Sequence, residues 1–178
     1  MTASAHAIAA AFRHRQAGLG ARKLQALLYY AQGHHQAWFS RPLFEDAIST
    51  SDSGPVVDAL WDDAGDPLGT SAELGEAELN TVGYVLSRYG QLSVEELEDR
   101  IHAGEPWQRA AGRAQGSSTR IGAETMRQFF AAQTAKEDDL GLDPAEMKHM
   151  LQAAARRRDE PRRTDSLEDI RAWLATRA

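Results

Sequence analysis

Leu24, Leu27, Leu28, Ala31, His35 and Trp38 recur three and four residues apart, which places them on one face of a helix predicted over residues 21–39. A stripe of that kind has to be buried, so this segment is expected to be the central core helix. Pro42 ends it, because proline pushes the residue before it out of the helical region and has no N–H to donate. Gly33, inside the stripe, costs about 1 kcal/mol relative to alanine and reads as the mark of a close helix crossing. An earlier helix over residues 4–16 carries Ile8 and Phe12 and is broken by Gly18 and Gly20. Residues 41–53 show no helical period, and the weak alternation of LFEDAIS predicts one short strand or an extended crossover. Gly54-Pro55 reads as a helix start running to about Ala64, since proline suits the first helical turn. Gly65-Asp66-Pro67 stops that helix, and a polar loop continues to about Gly75.

Leu79, Val82, Val85, Leu86 and Tyr89 predict a helix over residues 76–89 that ends at Gly90. Ser93 with Glu96 forms a capping box for the next helix, which carries Leu97 and Ile101. Glu105-Pro106-Trp107 opens a short helix to about Arg113, and the polar GSSTR loop leads to Ile121 and a helix holding Met126, Phe129 and Phe130. The charged run KEDDLG breaks the pattern, Asp143-Pro144 starts a helix over residues 144–157, and Asp165 with Glu168 caps a last one with Leu167, Ile170, Trp173 and Leu174. The expected fold class is all-α, with one short extended segment or minor strand around residues 43–52. A compact multi-helix domain is expected over residues 1–137, followed by a two-helix C-terminal extension, residues 138–178, with an Arg-rich linker. Two helices alone cannot bury Trp173 and Leu174, so they dock on the main domain or fold onto a partner.

The 178 residues contain no cysteine, which removes thiolate catalysis, thiolate metal sites and a disulfide framework together. No apolar run is long enough to span a membrane, and the arginines of MTASAHAIAAAFRHRQ follow its apolar stretch instead of preceding it, unlike a secretion signal. A cytoplasmic protein is expected. The net charge of −6 conceals a pattern, because residues 1–44 hold five basic and no acidic side chains while residues 45–105 hold fifteen acidic and two basic ones. So acidic a middle segment repels a phosphate backbone and attracts a basic surface. It is equally readable as a solvated helical face.

Chemistry is sparse. His34 and His35 are adjacent, hence about 100° apart on a helix, and cannot chelate one metal together. His102 near Glu105 is the nearest approach to an acid–base pair, with a plain helix-end histidine as the other reading. No nucleophile elbow, phosphate-binding glycine loop or dinucleotide fingerprint occurs. No catalytic residue, metal or cofactor is therefore expected. Arg156, Arg157, Arg158, Arg162 and Arg163 could contact phosphates, but Asp159 and Glu160 interrupt them on an acidic chain, so a solvated linker is the simpler reading.

KLQALLYYAQGHH at 23–35, RPLFEDAI at 41–48, GPVVDALW at 54–61 and the His102-x-x-Glu105-Pro106-Trp107 cluster follow one another in the order of the Panacea (SocA-like) domain of bacterial and phage toxin–antitoxin systems. GSSTRIGAETMRQFF resembles that family's closing helix, so the resemblance spans roughly residues 5–132. Ser53 stands where the family usually has an aromatic, Asp58 where proline is common, and His34 in place of the usual tryptophan. The resemblance implies a mainly helical, non-catalytic antitoxin that neutralises a cognate toxin, encoded beside it, through direct protein contact. On that expectation the toxin-facing residues are Asp52, Ser53, Asp58, Trp61 and Asp62, with Trp173 in the extension. The alternatives are a DNA-binding autoregulator of its operon, using the arginine cluster, and an adaptor that delivers the toxin to a cytosolic protease. A homo-oligomer and operator DNA stay open as further partners.

Overall fold

A computed structural model describes residues 2–60, 74–113 and 118–138. The chain divides into two units, residues 1–136 and 137–178. The predicted helices at 144–157 and after Asp165, with Trp173 and the arginine cluster, lie outside the described residues. So do Trp61, Asp62 and the stop at residues 65–67.

The described elements are α1 (Ala5–Arg15), α2 (Ala21–Phe39), β1 (Ile48–Ser51), β2 (Gly54–Val57), α3 (Glu76–Tyr89), α4 (Val94–Ala103), α5 (Glu105–Ala111) and α6 (Ala123–Asp138). The mainly helical architecture is the one the apolar periodicity predicts. Three of the helix starts have a local cause. Ser4 accepts from the Ala7 N–H at the head of α1, and Ser93 and Glu96 form the predicted capping box at the head of α4. Pro106 occupies the first turn of α5, where its missing N–H has no intrahelical use. Helix α6 runs through Lys136 to Asp138, further into the charged run than its composition suggested.

Helix α2 is the centre, and it is buried more completely than a one-sided stripe requires. Every residue from Ala26 to Gln36 is buried, polar ones included. Around it stand Ile8 and Phe12 of α1, Val82, Val85 and Tyr89 of α3, Leu97 and Ile101 of α4, and Met126 and Phe130 of α6, all in one core with Ile48 and Val57. Tyr30 stacks on Tyr89 with centroids 4.0 Å apart. Trp38 is a correction to the predicted stripe, since it lies past the buried stretch with 36% of its surface exposed.

Gly54-Pro55 does not begin a helix. The segment is strand β2, paired antiparallel with β1 in the register Ile48↔Val57, Thr50↔Pro55 and Ser51↔Gly54. Gly54 adopts φ 114, outside the helical region, and the β-branched Val56-Val57 that follow suit a strand. Pro55 fits because Thr50, its partner, sends its N–H the other way, to the Thr119 carbonyl at 2.9 Å. Ile121 N–H likewise reaches the Ile48 carbonyl at 2.8 Å, so residues 119–121 cover the second edge of β1. The expected minor strand is thus one arm of a hairpin, and a 3-10 turn, Asp58–Leu60, follows it at the end of that described stretch.

Buried Gln32 ties the loop after α2 to that helix. Its Oε1 accepts from Leu43 N–H at 2.9 Å and Phe44 N–H at 3.2 Å, while Nε2 donates to the Phe44 carbonyl at 2.9 Å. Gln32→Leu keeps the volume but strands all three groups, so it should cost about 2 kcal/mol, read as a lowered urea midpoint at unchanged slope.

Candidate functional site

Of the toxin-facing residues expected from the sequence, Asp52, Ser53 and Asp58 lie at the tip and base of the β1–β2 hairpin. Asp52 and Ser53 form its two-residue turn and are exposed, as is Asp58 where the 3-10 turn starts. Ser49 Oγ donates to Asp58 Oδ2 at 3.2 Å, which holds that carboxylate against the strand. Ser51 Oγ donates to the Gly54 carbonyl at 2.8 Å and accepts from Ser53 N–H at 3.3 Å, so the turn is closed from within. Beneath it, Val57 N–H donates to Gln25 Oε1 of α2 at 2.8 Å. Glu98 of α4 packs under Gly54, where an added Cβ would meet its Cγ at 3.3 Å. Arg22 grips the same Glu98 through two hydrogen bonds, at 3.1 and 2.5 Å. A charged tip on a fixed ribbon results. The structure brings Asp52, Ser53 and Asp58 onto this one element.

The far end of α2 carries a feature that sequence reasoning missed. Trp38 and Phe39 are the exposed large apolar side chains among the described residues, at 36% and 44%. Trp38 is held by the Tyr84 ring, edge-on at 4.7 Å, and stacks over His34 at 5.2 Å. The Arg41 guanidinium sits 5.9 Å above the Phe39 ring and pairs with buried Glu78 at 2.9 Å. One signal was available, because adjacent aromatics on a helix diverge by about 100° and cannot both face a single core stripe.

His34 and His35 are committed to structure. Nε2 of His34 lies 2.9 Å from the Tyr89 hydroxyl, and Nδ1 of His35 lies 2.9 Å from Thr81 Oγ1. Burial, aided by Arg88, lowers His34 to a pKa of about 3. Burial and Arg41, opposed in part by Glu78, lower His35 to about 4. Both rings are neutral at pH 7. Burial likewise raises Tyr29 and Tyr30, so their phenols stay protonated.

His102 and Glu105 do not form a pair for acid–base work. The His102 ring packs against Trp107 at 4.5 Å, while the Glu105 carboxylate turns to Arg109 at 2.7 Å, one helical turn along α5. Among the described residues, no three His, Asp or Glu side chains come together as a metal site. Nor is any described helix long and apolar enough to cross a membrane.

A helical domain built round one buried helix, with a hairpin laid across its first half and an aromatic cluster at its end, is the class the structure defines. Residues 24–108 match the family model described as antitoxin SocA-like, Panacea domain. The match begins inside α2 and ends inside α5. Helices α1 and α6 therefore flank it, and it is narrower than the span of residues 5–132 suggested by the sequence motifs. Comparison with curated proteins and with solved structures found no match.

Proposed function

We propose that this protein is a cytoplasmic antitoxin that binds a cognate toxin protein, encoded beside it, and inactivates it stoichiometrically without catalysis of its own. The observation that carries this reading is the match of residues 24–108 to the antitoxin SocA-like Panacea domain. The hairpin supports it physically. Asp52 and Asp58 stand exposed on a ribbon pinned to α2 and α4, so a basic partner meets fixed charge with little ordering cost. Trp61 and Asp62, which follow Asp58 in the sequence, and Trp173 are proposed as further contacts with the toxin.

The test is growth on inducing the neighbouring gene with and without this protein, followed by copurification. Rescue with copurification is the expected result; a toxic neighbour that this protein neither binds nor relieves would overturn the reading. For the hairpin, Asp52→Lys with Asp58→Lys should slow association about tenfold at low salt and flatten its dependence on ionic strength. Unchanged association by a variant with unchanged melting would exclude the hairpin as the steering surface.

A further inference from the structure

The residues that carry the acidic reading lie near the start of α2, whereas Trp38, Phe39 and Arg41 lie at its end, about 20 Å away at 1.5 Å per residue. These three have the composition of an interface centre, where tryptophan, other aromatics and arginine concentrate binding energy. The Trp38 indole is already braced by His34 and Tyr84, so little rotamer freedom is left for binding to remove.

Two further observations set the cluster apart from scattered surface apolar groups. Ser40, between Phe39 and Arg41, has φ 53 and is the one described non-glycine residue with positive φ. A serine in the left-handed conformation is uncommon, and here it turns the chain so that Arg41 folds back over Phe39. Arg41 is the second, because Glu78, the carboxylate it pairs with, is buried. The Arg41 side chain remains 45% exposed, and one hydrogen bond to Glu78 uses a single donor of its five.

We infer that this cluster is the anchor site for the toxin, and that it receives an apolar side chain flanked by a carboxylate, the apolar group against Trp38 and Phe39 and the carboxylate on Arg41. The inference rests on the antitoxin reading and adds to it a second surface, built of aromatic rings and an arginine. All its residues fall within the matched stretch 24–108.

The experiment uses the purified full chain and the purified product of the adjacent gene. Trp38→Ala and Phe39→Ala should each weaken binding about 30-fold or more, mainly by faster dissociation, and Arg41→Gln about tenfold. Melting of each variant is checked first. Hydroxyl-radical footprinting of the unaltered complex supplies a readout that needs no variant, and oxidation of Trp38 and Phe39 should fall on binding. Undiminished oxidation, or full affinity in the folded variants, would overturn the anchor while wild-type neutralisation leaves the antitoxin reading standing. Protection that grows with the protein's own concentration, without toxin, would assign the cluster to a second copy and overturn the proposal. If the wild type neither binds nor neutralises the toxin, both readings fall together.

Discussion

Gly33→Leu should remove a large fraction of the chain's stability, read as a denaturant midpoint far below that of the wild type. A Cβ at this position would stand 2.2 Å from Cδ2 and Cε2 of Phe130 and 2.7 Å from its Cζ, well inside any real contact. The ring has nowhere to go. It is fully buried, edge-on to Tyr29 at 5.8 Å and Tyr30 at 6.1 Å, and 4.8 Å from His34. Overpacking of so confined a site costs about 4 kcal/mol or more for leucine, a large fraction of the roughly 5–15 kcal/mol that hold a domain together. Gly33→Ala is the quantitative version. Its gain of about 1 kcal/mol in helix propensity is outweighed by the clash, for a net loss of about 2 kcal/mol. Adding Phe130→Ala removes the obstacle, so the double variant should be more stable than the sum of the two losses by at least about 1 kcal/mol. Denaturant titrations of the four proteins measure that coupling. Strict additivity would mean that α6 does not pack on Gly33.

Acidification should destabilise this protein already above the pH at which carboxylates titrate. His34 and His35 are held at about 3 and about 4 in the folded chain, against an ordinary value of 6.5. Both imidazoles are neutral in either state above pH 6.5, and there they cost nothing. As the pH falls below 6.5 the unfolded chain takes up two protons that the folded chain refuses, so stability falls with pH until the folded values are reached. The slope approaches about 1.4 kcal/mol per pH unit for each histidine once the unfolded form is mostly protonated, which makes the loss between pH 6.5 and 5 about 3 kcal/mol for the pair. The geometry explains the refusal. Nδ1 of His34 and Nε2 of His35 are buried with no hydrogen-bond partner among the described residues, so a second N–H on either ring would be both charged and unpaired. His34→Phe keeps the ring packing and should remove about half of the acid limb. Urea midpoints at pH 7.5 and 5.0 decide this, and a midpoint that does not move in the wild type would contradict the assigned burial.

What could be read from the sequence follows from how local each cause is. The spacing of Leu79, Val82, Val85, Leu86 and Tyr89 reproduces α3, and Ser93 with Glu96 reproduces the start of α4, because periodicity and caps act within a few residues. Gly33 was readable as a close approach, although nothing local says that the neighbour is Phe130. The hairpin was not readable. Gly-Pro opens helices and fits strands alike, and the choice here depends on Gln25, Glu98 and Thr119, which lie far along the chain. The same holds for the candidate site. Asp52 and Asp58 were picked out by charge, whereas Trp38 was assigned to the core because its spacing continues the buried stripe. Only the tertiary position of the helix end, past the neighbours that bury Ala26 to Gln36, leaves it at the surface.

The central claim is neutralisation by direct contact, and a titration of toxin activity with this protein, both purified, tests it most directly. The predicted result is activity that falls linearly to zero at a fixed molar ratio, with a complex of that composition isolated by gel filtration. Toxin that stays fully active beside an excess of this protein, and loses activity only when a protease is added, would contradict it.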